Sequence, residues 1–329
     1  LVVGSSYRFT AIVTTGAGLK ANTSVDVTVD NGNVVSVIDG GKTRVAPIDK
    51  SFSMDGSASY DEDVNIADYV GASGSYPLSY LWSCTYGSMA KYGSSCDSDV
   101  FGAGAVTTAS AFVVQANSLT FNETYIFTLT CPSTADNRTS TDYVTVKAVA
   151  GGAPQVSISS YSYSTGAALK FGTSDRITIK ALVEASTALS GTWTVSPAIG
   201  GVLSEVALTS TSRSITTVQA LKGYTQQFAV SGAYFVPGVT YTFRLTAALV
   251  SGGTSSYAEI DLVANSPPTV GSVSVTPATG TALVTTFRIF ANNFLDNDDD
   301  LPLVYRFNYA KLPSVYNYGD LNTFSEKSY

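Results

Sequence analysis

The sequence predicts an all-β fold of tandem antiparallel β-sandwich modules, and three observations carry that prediction. A strand-forming pattern recurs at a period of about 117 residues. Within the pattern apolar and polar residues alternate with period two. Pro- and Gly-rich breaks separate the repeats.

The repeat is anchored by tyrosines. Tyr7 and Phe9, Tyr125 and Phe127, and Tyr241 and Phe243 each follow a turn, and the tyrosines lie 118 and 116 residues apart. That period fits one Ig-like sandwich of roughly 100 residues plus loops. After each tyrosine the alternation is strict: Tyr125, Phe127, Leu129 and Cys131 share one face, with Ile126, Thr128 and Thr130 on the other. One apolar face at period two is the signature of a half-buried antiparallel strand. A tyrosine at the start of such a strand predicts a tyrosine corner, with its ring in the core and its hydroxyl bonded to upstream backbone.

A second alternating run follows each time: Val25, Val27 and Val29; Val144 and Val146; Ala258, Ile260 and Leu262. These runs are predicted to pair with the tyrosine strands as the last two strands, F and G, of each module. Upstream, Trp82, Trp193 and Phe307 take the position of the large core aromatic on the third strand. The segments Gly151–Pro154 and Asn265–Pro268 mark breaks, because proline cannot donate to a ladder. The predicted organisation is therefore F and G strands over 1–39, complete modules over 40–150 and 151–264, and the first strands of a further module over 265–329.

Composition narrows function. Charged residues are 13% of the chain, about half the usual ~25%. The net charge of -7 leaves no basic stripe for nucleic acid. Apolar runs fall short of the ~18 residues that suggest a membrane-spanning helix. There is no histidine, which excludes Ser-His-Asp, Cys-His and histidine-based metal chemistry. The expectation is a non-enzyme; a carboxylate-only hydrolase is the weakest of three function classes.

The run Asp55-Gly56-Ser57-Ala58-Ser59-Tyr60-Asp61-Glu62-Asp63, followed by Leu78–Cys84 and Cys96, resembles PKD-type Ig-like repeats and the receptor-for-egg-jelly (REJ) region of polycystin-like proteins. So does Asn265–Pro268 through Asp296–Leu303 and Tyr305–Tyr309. The resemblance covers most of residues 40–329. It implies extracellular tandem modules with adhesive, ligand-contact or spacing roles and no catalytic residues. It also implies a Cys84–Cys96 disulfide, which would close a short hairpin. Cys84–Cys131 is the rival pair, since both share the inward parity of neighbouring strands. Three cysteines leave one unpaired in either case.

Further sites follow from local chemistry. Asn22, Asn122 and Asn137 head N-glycosylation sequons, with Asn22 and Asn137 expected in F–G loops and Asn122 in the turn before its tyrosine. Asp55, Asp61 and Asp63, and likewise Asp296, Asp298 and Asp300, group hard oxygens suited to Ca²⁺, although Asp and Ser also simply cap tight turns. Tyr316 and Tyr318 are candidates for stacking on sugar, or ordinary strand aromatics. The leading reading is an extracellular structural or adhesive module protein of a filament, stalk or cell-surface coat. Its partners would be copies of itself, or neighbouring modules of one long chain, in a linear assembly. The alternative is a carbohydrate- or protein-ligand-binding ectodomain.

Overall fold

The computed structural model describes residues 2–64, 78–102, 107–161, 169–297, 300–310 and 318–321. An N-terminal hairpin pairs β1 (Ser6–Thr14) with β2 (Lys20–Thr28). The first sandwich contains β3 (Val34–Val35), β4 (Thr43–Pro47), β5 (Phe52–Asp55), β6 (Tyr60–Asp61), β7 (Leu81–Tyr86), β8 (Ala111–Val114), β9 (Thr124–Pro132) and β10 (Thr139–Val149). The second contains β11 (Gln155–Tyr161), β12 (Lys170–Phe171), β13 (Arg176–Glu184), β14 (Leu189–Ser196), β15 (Ser212–Ile215), β16 (Tyr224–Ser231), β17 (Thr240–Leu249) and β18 (Ser256–Ala264). Beyond it lie β19 (Ser272–Thr276) paired with β20 (Arg288–Asn292), and β21 (Asn308–Ala310) paired with β22 (Tyr318–Asp320).

The alternation read from the sequence sets the buried faces. In β9, Tyr125, Phe127, Leu129 and Cys131 are fully enclosed while the intervening residues are half-exposed. In β17, Tyr241, Phe243, Leu245 and Ala247 do the same. Each sandwich has its own core. Met54, Trp82, Phe127 and Leu129 fill the first; Trp193, Phe228, Phe243 and Leu245 fill the second. Trp82 meets Phe112 edge-on at 5.1 Å, and Trp193 lies 5.6 Å from Phe228. Burying each such side chain contributes roughly 1.5–3 kcal/mol. All three tyrosine corners form: the hydroxyls of Tyr7, Tyr125 and Tyr241 accept from the backbone N–H of Val2, Thr120 and Val236 at 2.7, 2.8 and 3.0 Å.

The sheets connect the modules unequally. One layer is continuous across both sandwiches, in the order β15-β14-β17-β18-β4-β10-β9-β7, with β12 also paired to β18. Its joint is the antiparallel pairing of Ala258 with Arg44 and Glu259 with Thr43. The opposite layer is interrupted: β5–β8 belongs to the first sandwich and β11-β13-β16 to the second.

The joint exists because the first strand of the first sandwich changes layers. The Asp39 N–H donates to the Asp55 carbonyl at 2.8 Å, on the side of β5. Four residues later the chain is β4, running parallel to β10 in the other layer. Gly40 and Gly41, at φ 105° and 98°, make the crossing. Strands that switch sheets turn at such corners.

Domain limits differ from the sequence reading at one end. Val34, Val35, Val37 and Ile38 are buried, and Val34 and Ile38 belong to the core of the first sandwich, so that module starts at Val34 rather than residue 40. The run reads as loop because its pairing partner is only the two-residue β6. Asn22 also differs. The hairpin turn spans Thr15–Leu19, where Thr15 N–H donates to the Leu19 carbonyl, and Asn22 lies inside β2 opposite Ile12.

The corners make a direct prediction. Tyr241→Phe keeps the buried ring but strips the Val236 N–H of its acceptor, and should cost the second sandwich about 1 kcal/mol. Each sandwich holds one tryptophan, so Trp193 fluorescence in a Trp82→Phe background during urea unfolding reads the second sandwich alone.

Candidate functional site

Three places concentrate chemistry: two acidic turns and the cleft between the sandwiches. The first turn is built locally by its own side chains. The Ser57 N–H donates to Asp55 Oδ1 at 2.9 Å, the Ser59 hydroxyl to the Gly56 carbonyl at 2.7 Å, and the Asp63 N–H to Asp61 Oδ1 at 3.0 Å. Such side-chain-to-backbone bonds stabilise tight turns. The Asp61 side chain is fully enclosed, and a buried carboxylate needs a counter-charge.

That counter-charge is Arg138, in the loop between β9 and β10. Its Nη2 lies 3.0 Å from Asp61 Oδ2, its Nη1 2.8 Å from Asp63 Oδ2, and its Nε 2.8 Å from Asp136 Oδ2. Nη1 also donates to the Gly32 carbonyl at 2.6 Å, which ties the start of the first sandwich into the same cluster. Burial works to lower the Arg138 pKa, but hydrogen bonds and charge from Asp136 and Asp61 hold it above its ordinary value. The Arg138 N–H and guanidinium hold Asp136 below the usual carboxylate range.

The second acidic turn follows the same logic. Asp300 Oδ2 accepts from Lys170 Nζ at 2.7 Å and Oδ1 from Asn265 Nδ2 at 3.1 Å, so this turn is anchored to the second sandwich. Asp296 Oδ1 accepts from the Asn297 N–H. Asp298 and Tyr316 lie outside the described residues, and Tyr318 is described only as backbone in β22. Asp61, Asp63 and Asp300 thus meet protein cations, while Asp55 and Asp296 accept from turn backbone. Among the described residues no group of three or more His, Cys, Asp or Glu side chains is gathered as a metal site.

Cys84 and Cys96 form a disulfide with Cα atoms 5.1 Å apart, and Cys131 is buried and free. The register explains the choice. Cys84 stands opposite Phe127, so Cys131 is four residues further along β9, roughly 13 Å at strand rise, beyond the reach of a disulfide. Asn22, Asn122 and Asn137 are all exposed. Asn122 adopts φ 66° in the turn before Tyr125, and Asn137 sits in the β9–β10 loop beside Arg138.

The cleft between the sandwiches measures about 440 Å³ and is lined by Ser51–Ser53 and Asp55 on one wall and Gln155–Ser159 on the other, with Arg44 of β4 beneath. Arg44 is only 4% exposed. Its Nη2 lies 2.8 Å from Met54 Sδ, its guanidinium 5.5 Å from the centre of the Phe52 ring, and its Nε has no partner. Burial lowers its pKa to about 10, against the opposing field of Asp39. Asp39 is raised by burial and by Asp55, with Arg44 pulling the other way. Sequence reasoning missed both arginines and the Gly40–Gly41 crossing. A single cation in Thr43–Pro47 carries no period, and only the fold brings Arg138 to Asp61.

Two predictions follow from these contacts. Arg138→Met leaves Asp61 enclosed without its counter-charge and should destabilise the first sandwich by about 3 kcal/mol; adding Asp61→Asn should recover part of that loss in urea unfolding followed by Trp82. Removing the bridge with Cys84→Ser and Cys96→Ser should cost about 3 kcal/mol for a loop this short, read by the same unfolding.

Among solved structures the chain is similar to Drosophila N-cadherin EC1-4, at 13% identity over 80% of this chain and 60% of that one, TM-score 0.28. It is also similar to the chicken CNTN1 FN1-FN3 domains, at 10% identity over 81% and 78%, TM-score 0.22. A third is the N-terminal four Ig domains of Dscam1 isoform 4.44, at 11% over 98% and 73%, TM-score 0.22. The chain thus spans 60% of the length of the cadherin structure. A family model, the REJ domain, matches residues 5–327. With that match running through both sandwiches and both flanking segments, the chain belongs to the REJ domain family.

Proposed function

We propose that this chain is a structural and adhesive segment of an extracellular stalk or coat, and that it works by holding β-sandwich modules in fixed relation. The observation that carries this reading is the layer of strands running unbroken through both sandwiches across β18 and β4. A linker alone leaves modules free to rotate; a shared ladder fixes their relative orientation. The disulfide suits an oxidising compartment, and no helix among the described residues is long and apolar enough to cross a membrane. With no histidine in the chain, a non-catalytic role is the simpler reading. Exposed apolar residues on the outer hairpins, Phe9, Ile12 and Val25 at one end and Val273 and Val275 at the other, suit burial against neighbouring modules or copies in a linear assembly.

The joint is the point of test. A Cβ on Gly41 would stand 2.7 Å from the Glu259 carbonyl, so Gly41→Val should part β4 from β18 while leaving both cores folded. Small-angle scattering should then show a broader distribution of shapes than the parent chain; an unchanged profile with both sandwiches intact would refute the rigid-joint reading. Glycans at Asn22, Asn122 and Asn137 are expected as added mass that peptide-N-glycosidase removes. Chelation by EDTA tests calcium: a lower unfolding midpoint gives it a site, and an unchanged one leaves Arg138 and Lys170 as the working counter-charges.

A further inference from the structure

A short link joins the N-terminal hairpin to the first sandwich. The hairpin's last main-chain bond is the Val29 N–H donating to the Ser5 carbonyl at 2.9 Å. The backbone is next held at Gly32, whose N–H donates to both carboxylate oxygens of Asp63 at 3.0 Å. The Gly32 carbonyl accepts from Arg138 Nη1 at 2.6 Å, and the Asn33 N–H donates to Glu62 Oε2 at 2.7 Å. Asp30 and Asn31 lie between these two anchorages, and both are exposed. The Asn31 side chain makes one bond, from Nδ2 to Asp136 Oδ2 at 3.3 Å.

Asn31 and Gly32 are the one Asn-Gly pair in the chain, and that pair carries its own chemistry. The glycine nitrogen attacks the asparagine Cγ, the N–Cγ bond forms, and ammonia leaves. Water then opens the succinimide ring. Opening at Cγ gives aspartate; opening at the main-chain carbonyl gives isoaspartate, with the backbone routed through Cβ. Glycine permits the attack because no side chain crowds its nitrogen. The fold opposes it. Attack requires the Gly32 nitrogen to give up its proton, and Asp63 holds that proton through both oxygens. Asp30, Glu62 and Asp136 add negative charge around the same link, and a negative field raises the cost of an amide anion.

We propose that Asn31 is a gated deamidation site: it converts slowly while Asp63 holds Gly32, and quickly once the entry to the first sandwich opens. The product then keeps the entry open. Conversion replaces a donor to Asp136 with a carboxylate, and like charges at that distance repel. Arg138 is already shared among Asp61, Asp63 and Asp136. An isoaspartate also lengthens the main chain of the link by one carbon. The change is covalent and runs one way, so the link between hairpin and sandwich records how often it has opened. This inference does not rest on the stalk reading; either can fail while the other holds.

The test incubates the whole chain at mildly alkaline pH beside a blocked peptide of the link, acetyl-Val-Asp-Asn-Gly-Asn-Val-amide. Conversion is read as the amide-to-acid mass change in the fragment that holds Asn31, with isoaspartate labelled by its methyltransferase. The folded chain should convert at least about tenfold more slowly than the peptide, and the difference should vanish in urea. Asp63→Asn, with its fold checked by Trp82 fluorescence, should speed conversion of the folded chain. Asn31→Asp should hasten hydrogen exchange at the Gly32 and Asn33 amides while the amides of β9 keep their protection. A folded chain that converts as fast as the peptide, or no faster in urea, would overturn the proposal. So would an unchanged rate in folded Asp63→Asn, or unchanged Gly32 exchange in Asn31→Asp. The peptide and urea comparisons decide the gating even where Asp63→Asn fails to fold.

Discussion

A first strand that serves two sheets must leave one ladder and enter the other within a few residues, and here Gly40 and Gly41 are where it does so. Both hold positive φ, which side chains with a Cβ resist. Space forbids a side chain as well. A Cβ on Gly40 would stand 2.4 Å from Arg44 Nη1, and one on Gly41 2.7 Å from the Glu259 carbonyl. The crossing brings β4 beside β18 and so creates the joint. It lays Arg44 against Asp39 and Phe52. Two features that look unrelated, a shared sheet and a buried cation, come from one crossing between layers.

Much of this fold is legible in the sequence because its determinants are local. Tyr7, Tyr125 and Tyr241 each carry their corner within five residues, and the alternation after them states which side is core. Trp82 and Trp193 stand on β7 and β14, beside those strands, as their spacing implies. What was not legible is set by pairing at long range. Val34 to Ile38 reads as loop because its partners, Tyr60 and Asp61 among them, form only a two-residue strand. Thr43 to Pro47 reads as one edge of one module, and nothing in those five residues announces Glu259 on its other side. Asn22 reads as loop because a strand carrying Asn, Thr and Ser looks like a turn until its register with Ile12 is seen.

The acidic turns show the same division. Grouped aspartates suggest a divalent cation because grouping is visible locally, whereas the cation supplied by the chain is distant. Arg138 reaches Asp61 from a loop 77 residues along the chain, and Lys170 reaches Asp300 from another module. A guanidinium answers two carboxylates with directional bonds, and such charge-assisted bonds are stronger than neutral ones. Its position also matters for assembly. Arg138 clamps Gly32, Asp61, Asp63 and Asp136 together, which fixes the entry of the chain into the first sandwich. Lys170 and Asn265 do the corresponding work between the second sandwich and the segment that follows. The Lys170–Asp300 pair fastens consecutive units, whereas the Arg138 pairs lie within the first sandwich.

The division of labour between cores and joints bears on where the molecule yields. Each sandwich buries its own cluster of aromatic and aliphatic side chains, and that burial is worth far more than any single contact. The joint has a short ladder between β4 and β18, the Gly40–Ile158 bond, and side-chain contacts such as Gln155 to Ser51 and Lys50 to the Glu184 carbonyl. Bonds of this kind contribute about 1 kcal/mol each in net terms, so the joint opens at a free energy well below either core.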